Sequence, residues 1–395
     1  MKFTAQRKEF LSQARRVYKV APRNHTTPEL NGIHIEAFPK QNALRLTATD
    51  FEMSIRVSLH ANVELGGETI ISARLLIDIL NKLPGDEVVV ELRENNMLKI
   101  TSGVTSYNIS VLPGEKYPRI EMPMPGETIA VSSIPSLIGS TVFAASKESI
   151  GQASRAQLCC VNLVISADGI RAVASDGFCV AESLGDRECE GDFSMMISAS
   201  AASTLAALAN ESDVFQIGVT GEGSGKTASF YDGSLLFTAR LVNGEFFDSD
   251  KAFDSISAVT AIEVDAQKLR ELVANATAVA TDEAQLEVCV GNGKLTIRCV
   301  TLNGKSEASI PIPSATAPEV TFYFSPKRLE NCLKTYKGAV TLELSKTGVL
   351  LMRCGNARYF QIGERKRVFA SEVEKAPKPA KKAKTVKTEK AKKAA

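Results

Sequence analysis

Ile71-Ser72-Ala73-Arg74-Leu75-Leu76, Ile197-Ser198-Ala199-Ser200 and Phe324-Ser325-Pro326-Lys327-Arg328-Leu329 are three versions of one pattern, a strand that ends in Ser and gives way to a helix. The serines stand 126 and 127 residues apart. Each is placed to act as an N-cap, accepting a backbone N–H that the first helical turn leaves without a partner. The third copy adds Pro326 at the first helical position, where no donor is lost. Gly85 and Gly338 are placed to close two of these helices.

A second landmark keeps the same register. Thr49-Asp50, Ser175-Asp176 and Leu302-Asn303 each come after an alternating apolar-polar strand, again at spacings of 126 and 127. Two landmarks agreeing over two periods make the chain a threefold internal repeat. Each copy opens with a strand and a helix (residues 4–21, 132–145 and 265–280) and continues as strand, strand, helix, strand, strand. Two helices against a mostly antiparallel sheet define the α+β class. The expected organisation is three modules, 1–122, 128–251 and 260–368, with linkers at 122–127 and 252–260 and a Lys-rich tail at 371–395. That tail has almost no large apolar side chain, so the sequence predicts disorder there.

Composition excludes several function classes. No run approaches the roughly 20 apolar residues of a membrane helix, and Met1-Lys2-Phe3-Thr4 lacks the apolar core of a signal peptide, so a cytoplasmic protein is expected. Eight scattered cysteines include no Cys-x-x-Cys pair, and His25, His34 and His60 have no acidic or cysteine cluster at ligand spacing. Neither a metal nor another cofactor is expected. The net charge of +2 hides an asymmetry: residues 371–395 hold nine Lys and three Glu, leaving 38 basic and 42 acidic residues elsewhere. Contact with nucleic acid must therefore be confined to a stripe, because each neutralised phosphate needs a Lys or Arg.

Two segments imitate catalytic motifs. Gly221-Glu222-Gly223-Ser224-Gly225-Lys226-Thr227 resembles a phosphate-binding loop, but Thr220 stands where the first Gly belongs, and residues 227–230 read as a strand instead of the helix such a loop needs. A hairpin turn is expected. Asp176-Gly177 after an alternating strand reads as a turn, since no second carboxylate or His falls beside it. With no nucleophile-base set either, the chain reads as a non-enzyme.

The first helix carries more information. At 100° per residue Phe10, Ala14, Val17 and Ala21 share one side, with Lys8, Arg15 and Lys19 opposite. In the third copy Leu329, Cys332, Leu333 and Tyr336 lie together while Lys327 and Lys334 project away, and Arg74 and Lys82 take the polar side of the corresponding helix in copy one. The bland reading is that amphipathic helices carry Lys and Arg on solvated faces. Against it, these stripes recur at equivalent positions within a net-acidic folded part. The copy-two helix has no basic residue, so the stripe is interrupted there.

Over about residues 1–367 the sequence resembles the bacterial DNA polymerase III beta subunit (beta sliding clamp) family. The resemblance rests on Met1-Lys2-Phe3-Thr4, Leu46-Thr47-Ala48-Thr49-Asp50-Phe51-Glu52-Met53, Tyr107-Asn108-Ile109-Ser110-Val111-Leu112-Pro113 and Val173-Ala174-Ser175-Asp176-Gly177. It implies a head-to-tail homodimer ring, helices lining a central channel for duplex DNA and antiparallel sheets outside. The implied partners are double-stranded DNA, bound without regard to sequence, the replicative polymerase and clamp loader subunits. It places DNA contacts at Asn24 next to Arg23, at Arg74 and at Gln152, in the loop before Arg155, which could instead form a structural ion pair. It places a pocket for partner peptides at Leu158, Ser175, Gly177, Phe178, Cys179, Val180, Ile362, Gly363, Glu364 and Arg365. The ending Ile362-Gly363-Glu364-Arg365-Lys366 departs from the family's apolar close, so clamp-binding peptides are expected to bind more weakly. The alternative is a divergent clamp-fold scaffold that binds proteins without loading on DNA.

Overall fold

The computed structural model describes residues 1–126, 129–147, 154–166, 169–185, 193–281, 284–301, 304–312 and 319–366. The last residues of the third expected module and the Lys-rich tail lie outside them, as do Gln152 and the landmark Leu302-Asn303.

Seven helices occur among the described residues: α1 (Arg7–Tyr18), α2 (Ala73–Lys82), α3 (Ile134–Gly139), α4 (Ala199–Leu208), α5 (Ser249–Asp254), α6 (Ala266–Thr277) and α7 (Pro326–Thr335). Six pair off by copy, α1 with α2, α3 with α4 and α6 with α7. The pairing arises from their apolar stripes. Phe10, Ala14 and Val17 of α1 are buried with Leu76, Ile79 and Leu80 of α2, and Leu269, Leu272 and Val273 of α6 with Leu329, Cys332 and Leu333 of α7. Each large apolar side chain among them contributes about 1.5–3 kcal/mol when fully buried. An arginine in two of the first helices fastens the end of the second: Arg7 donates to the Gly85 and Leu80 carbonyls, Arg270 to those of Leu333 and Tyr336. The Leu80 and Leu333 carbonyls, in the last turns of α2 and α7, are among the acceptors that a helix end leaves without intrahelical partners.

Four antiparallel sheets contain the strands. A five-stranded sheet runs Asn62–Leu65, Lys2–Gln6, Glu87–Arg93, Met97–Ser102, Thr105–Ser110. A four-stranded sheet at the other end of the chain runs Gly304–Pro311, Lys294–Thr301, Gln285–Gly291, Val320–Phe324. The two sheets between them each join neighbouring copies. In the nine-stranded sheet Met53–His60 of copy one pairs with Leu235–Arg240 of copy two, and in the eight-stranded sheet Cys179–Gly185 of copy two pairs with Ala357–Ile362 of copy three.

Strand alternation assigns the two faces. Ile33, Ile35, Leu44, Leu46, Ile55 and Val57 are buried in the core on which α1 packs. The intervening His34, Arg45, Thr47 and Arg56 therefore stand on the outer face, away from the helices.

Several local expectations need correction. Of the three repeat serines only Ser198 caps with its side chain, accepting the Ala201 N–H at 3.1 Å; Ser72 and Ser325 do not. Asp265, by contrast, caps α6 through the N–H groups of Gln267 and Lys268. Gly338 adopts the left-handed conformation after α7, at φ +77°, whereas Gly85 is needed for space, since an added Cβ would lie 2.4 Å from Ser102 Oγ. The expected linker at 252–260 is half of α5 followed by the start of a strand, because Asp248 caps α5 and Phe253 is buried. The Gly221-to-Thr227 loop is the expected hairpin, with Thr220 paired to Thr227.

Candidate nucleic-acid interface and partner pocket

The basic side chains predicted on the helix backs lie on the wet side. Lys8, Arg15 and Lys19 project from or just beyond α1, Arg74 from α2, and Lys327 and Lys334 from α7. Their environments differ. Arg15 donates to Asn81 Oδ1 of α2 at 2.7 Å, and Lys334 reaches Asn331 Oδ1. Lys19 is turned onto the Ala207 carbonyl in the last turn of α4, and burial lowers its ammonium below the ordinary lysine value. It therefore bridges copies one and two, beside the Arg16–Asp232 ion pair at 2.9 Å. Lys268, exposed on α6, adds a cation that the sequence reading missed. Its signal was the stripe Leu269, Leu272, Val273 and Ala276, which leaves Lys268 on the wet side.

Arg23, Asn24 and Arg74 are far apart in sequence but share one cleft of about 580 Å³ with Tyr18, Asn31 and Ser72. Asn31 holds the loop in place, accepting the His25 N–H at 2.6 Å and donating to the His25 carbonyl at 3.0 Å. Arg74 has an exposed Asp78 partner one turn on at 3.9 Å, a separation at which competition by phosphate is inexpensive. Arg155 is exposed and forms no ion pair among the described residues.

Most of the residues expected to form a partner pocket lie where copies two and three share their sheet. Asp176 Oδ1 accepts the Phe178 and Cys179 N–H groups, and Ser175 Oγ accepts that of Gly177, a turn that places Gly177 at φ +87° and Phe178 on the surface. An added Cβ on Gly177 would sit 3.6 Å from Leu158 Cδ1, so these two are adjacent. The Ile362 N–H donates to the Phe178 carbonyl at 3.0 Å, and Gly363 is pinned to the Gly348 carbonyl at 2.8 Å. Phe178 and Ile362 are left 59% and 45% exposed. The other shared joint makes the same backbone bond, Arg240 N–H to the Glu52 carbonyl, yet there the side chains form an ion pair. An apolar ledge thus replaces a salt bridge at one of two equivalent joints.

Val180 does not join the ledge. It is buried on the opposite face with Val173, Phe253, Leu351 and Phe360, as strand alternation from Cys179 demands. Arg328 was missed by sequence reasoning: it pairs with Asp176 Oδ2 at 2.7 Å, and its guanidinium lies 4.7 Å from the Phe178 ring centroid. The Glu364 carboxylate, expected to disfavour an apolar peptide, accepts from Gln285 Nε2 at 3.0 Å and is engaged with copy three. Arg365 is exposed.

Burial pushes the Cys160 and Cys179 thiols up to about 12, which keeps them protonated and poor nucleophiles at neutral pH. Among the described residues no group of His, Cys, Asp and Glu could hold a metal ion, and no helix is long and apolar enough to cross a membrane.

Three joined copies of a helix pair packed on antiparallel sheets, with cations on the helix backs, define the DNA-clamp class of fold. The structure of the Bacillus subtilis DNA polymerase sliding clamp superposes with a TM-score of 0.83 at 21% identity, covering 93% of this chain and all of that one. A Pseudomonas aeruginosa DNA polymerase III subunit beta gives 0.80 at 22% identity, with 92% and 100% covered. Residues 1–121 match the family described as DNA polymerase III beta subunit, N-terminal domain. The beta sliding clamp of Staphylococcus epidermidis is 28% identical over 268 residues, 64% of this chain and 68% of the relative. The chain is thus similar to the DNA polymerase III beta subunit family over its first 121 residues and shares the fold of the sliding clamps over 92–93% of its length.

Proposed function

We propose that the protein is a DNA sliding clamp, a non-catalytic processivity factor whose two copies close head to tail around duplex DNA. The observation that carries this reading is a pair of unused strand edges. Within the chain, the strand after each landmark turn of copies one and two pairs with the last strand of the next copy. Gly304–Pro311 of copy three and Thr105–Ser110 of copy one hold the same places in their sheets, and each is an edge. Ala308 and Ile310 on one, and Tyr107 and Ile109 on the other, are half-buried against the core. Joining each edge to that of a second copy would complete two further joints and leave neither of them open, as a closed rotation requires.

In such a ring the three modules, 1–122, 128–251 and 260–368, turn their helices inward. Lys8, Arg15, Arg74, Lys268, Lys327 and Lys334 then meet the DNA backbone, with Arg23 and Asn24 beside Arg74. Contacts to phosphate alone read no sequence and permit sliding, while topology supplies retention. Polymerase and clamp-loader peptides would lay an apolar side chain on Leu158, Phe178 and Ile362, with Arg328 and Arg365 at the rim. The engagement of Glu364 by Gln285 supports a pocket that stays usable despite the altered ending.

The test is retention on DNA after loading. Protein kept on nicked circles and lost on linearisation supports the clamp. Loss from both forms would support the scaffold reading, which the lack of basic residues on α3 and α4 favours.

A further inference from the structure

The outer face of copy one holds a cleft of about 600 Å³ over the strands Gly32–Phe38, Ala43–Thr49 and Met53–His60. Arg45, Thr47, Arg56 and Arg119 line it, with Tyr117 closing one end by stacking on His34 at 4.9 Å. Three buried polar atoms of its lining residues have no hydrogen-bond partner among the described residues: the hydroxyl of Thr47, which is 4% exposed, the hydroxyl of Tyr117, and Nε of half-buried Arg56. Of the three acids in its lining, Glu68 holds His34 at 2.9 Å, Glu36 meets Arg45 at 3.6 Å, and exposed Glu115 forms no ion pair among the described residues. Burial, and then the Arg45 charge, push the Arg56 guanidinium below its ordinary value.

The internal repeat shows what this corner contains when it is complete. Arg45 and Arg56 stand 126 residues before Arg171 and Glu182, and the strand registers agree: Thr47 faces Arg56 as Val173 faces Glu182. In copy two the corner is closed by carboxylates. Arg171 meets Asp250 at 2.8 Å and Glu182 at 3.6 Å, and Arg358 meets both acids. The corresponding arginine of copy three, Arg298, likewise touches Glu287 and Glu307. Copy one instead has a second arginine where copy two has its buried acid. A half-buried cation needs a counter-charge or a hydrogen-bond acceptor.

We propose that this cleft is a receptor for a carboxylate, which would accept from Arg56 Nε and the Thr47 hydroxyl and lie beside Arg45. The DNA in the channel cannot supply the ligand, because the cleft opens on the face opposite the helices. Its source is an acidic side chain of a protein or a free dicarboxylate.

The test is titration of the full chain with glutarate, with an acetylated Gly-Glu-Glu-Gly amide and with inorganic phosphate, read at the Arg56 Nε–H resonance and by calorimetry. Saturable binding of glutarate or peptide that falls roughly tenfold or more in Arg56→Gln is expected; the tighter of the two identifies the source. No binding, binding indifferent to Arg56→Gln, or phosphate binding at least as tightly as both carboxylates overturns the proposal. Arg56→Glu gives a second reading, since it copies the arrangement of copy two. The midpoint of thermal unfolding should rise and carboxylate binding should vanish. A midpoint that falls would mean that Arg56 is simply solvated, and would overturn the proposal.

Discussion

Glu182 is 1% exposed, and its two oxygens meet Arg358 at 2.5 and 3.1 Å and Arg171 at 3.6 Å, at the seam where copies two and three share a sheet. Glu182→Gln keeps the shape and removes the charge. Breaking a buried pair from one side costs about 3–5 kcal/mol, since the partner is left charged. Here Asp250 still stands 2.8 Å from both guanidiniums, which are 28% and 23% exposed, so the low end, about 3 kcal/mol, is expected. At a tenfold change per 1.4 kcal/mol, hydrogen exchange in Cys179–Gly185 and Ala357–Ile362 should accelerate roughly 100-fold. The other joint, Met53–His60 with Leu235–Arg240, should keep its protection. An acceleration under about tenfold, or equal loss at both joints, would refute the reasoning. Replacing both partners, Glu182→Met with Arg358→Met, should cost under about 1 kcal/mol, because no charge is then stranded and Arg171 keeps Asp250.

Hydrogen bonding from Arg171, opposed by burial and reinforced by Arg358, holds the Asp250 carboxyl below its ordinary value. Its contribution is therefore complete above the unfolded pKa of about 3.9 and is lost as pH falls through the lower folded value; the gap in thermal midpoint between wild type and Asp250→Asn should be open at pH 7 and close in acid, and a gap that widens in acid would be inconsistent with this sign. Gly177→Val should destabilise by about 1–2 kcal/mol in urea unfolding, since φ +87° disfavours a β-branched residue. Tyr107→Lys and Ile310→Asp, on the two unused edges, should each reduce the solution mass from dimer to monomer by light scattering; an unchanged dimer would place the interface elsewhere.

Legibility in the sequence depended on whether the signal was local. The threefold repeat, the apolar stripes of α1 and α7, the Asp176 turn and the false phosphate loop are written in spacings and residue types within a few turns of chain, and the structure agrees with them. Helix ends were less legible: a serine at the right position caps only if its rotamer reaches an N–H, as Ser198 does and Ser72 does not. The cleft uniting Arg23 with Arg74, and the ledge of Leu158, Phe178 and Ile362, were named only through family resemblance, since no local pattern links residues so far apart.

Amino-acid order alone determined that one α+β unit occurs three times, and which face of each helix is apolar. Tertiary structure decided everything that depends on what stands opposite: that Lys19 faces the end of α4, that Val180 turns away from the ledge of Phe178 and Ile362, that Glu364 finds Gln285. It also separated equivalent corners of the repeat, where Glu182 is matched by Arg358 and Arg56 by no carboxylate among the described residues. Periodicity reports the direction of a side chain, but its charge environment is set by strands that arrive from another copy, more than 100 residues away.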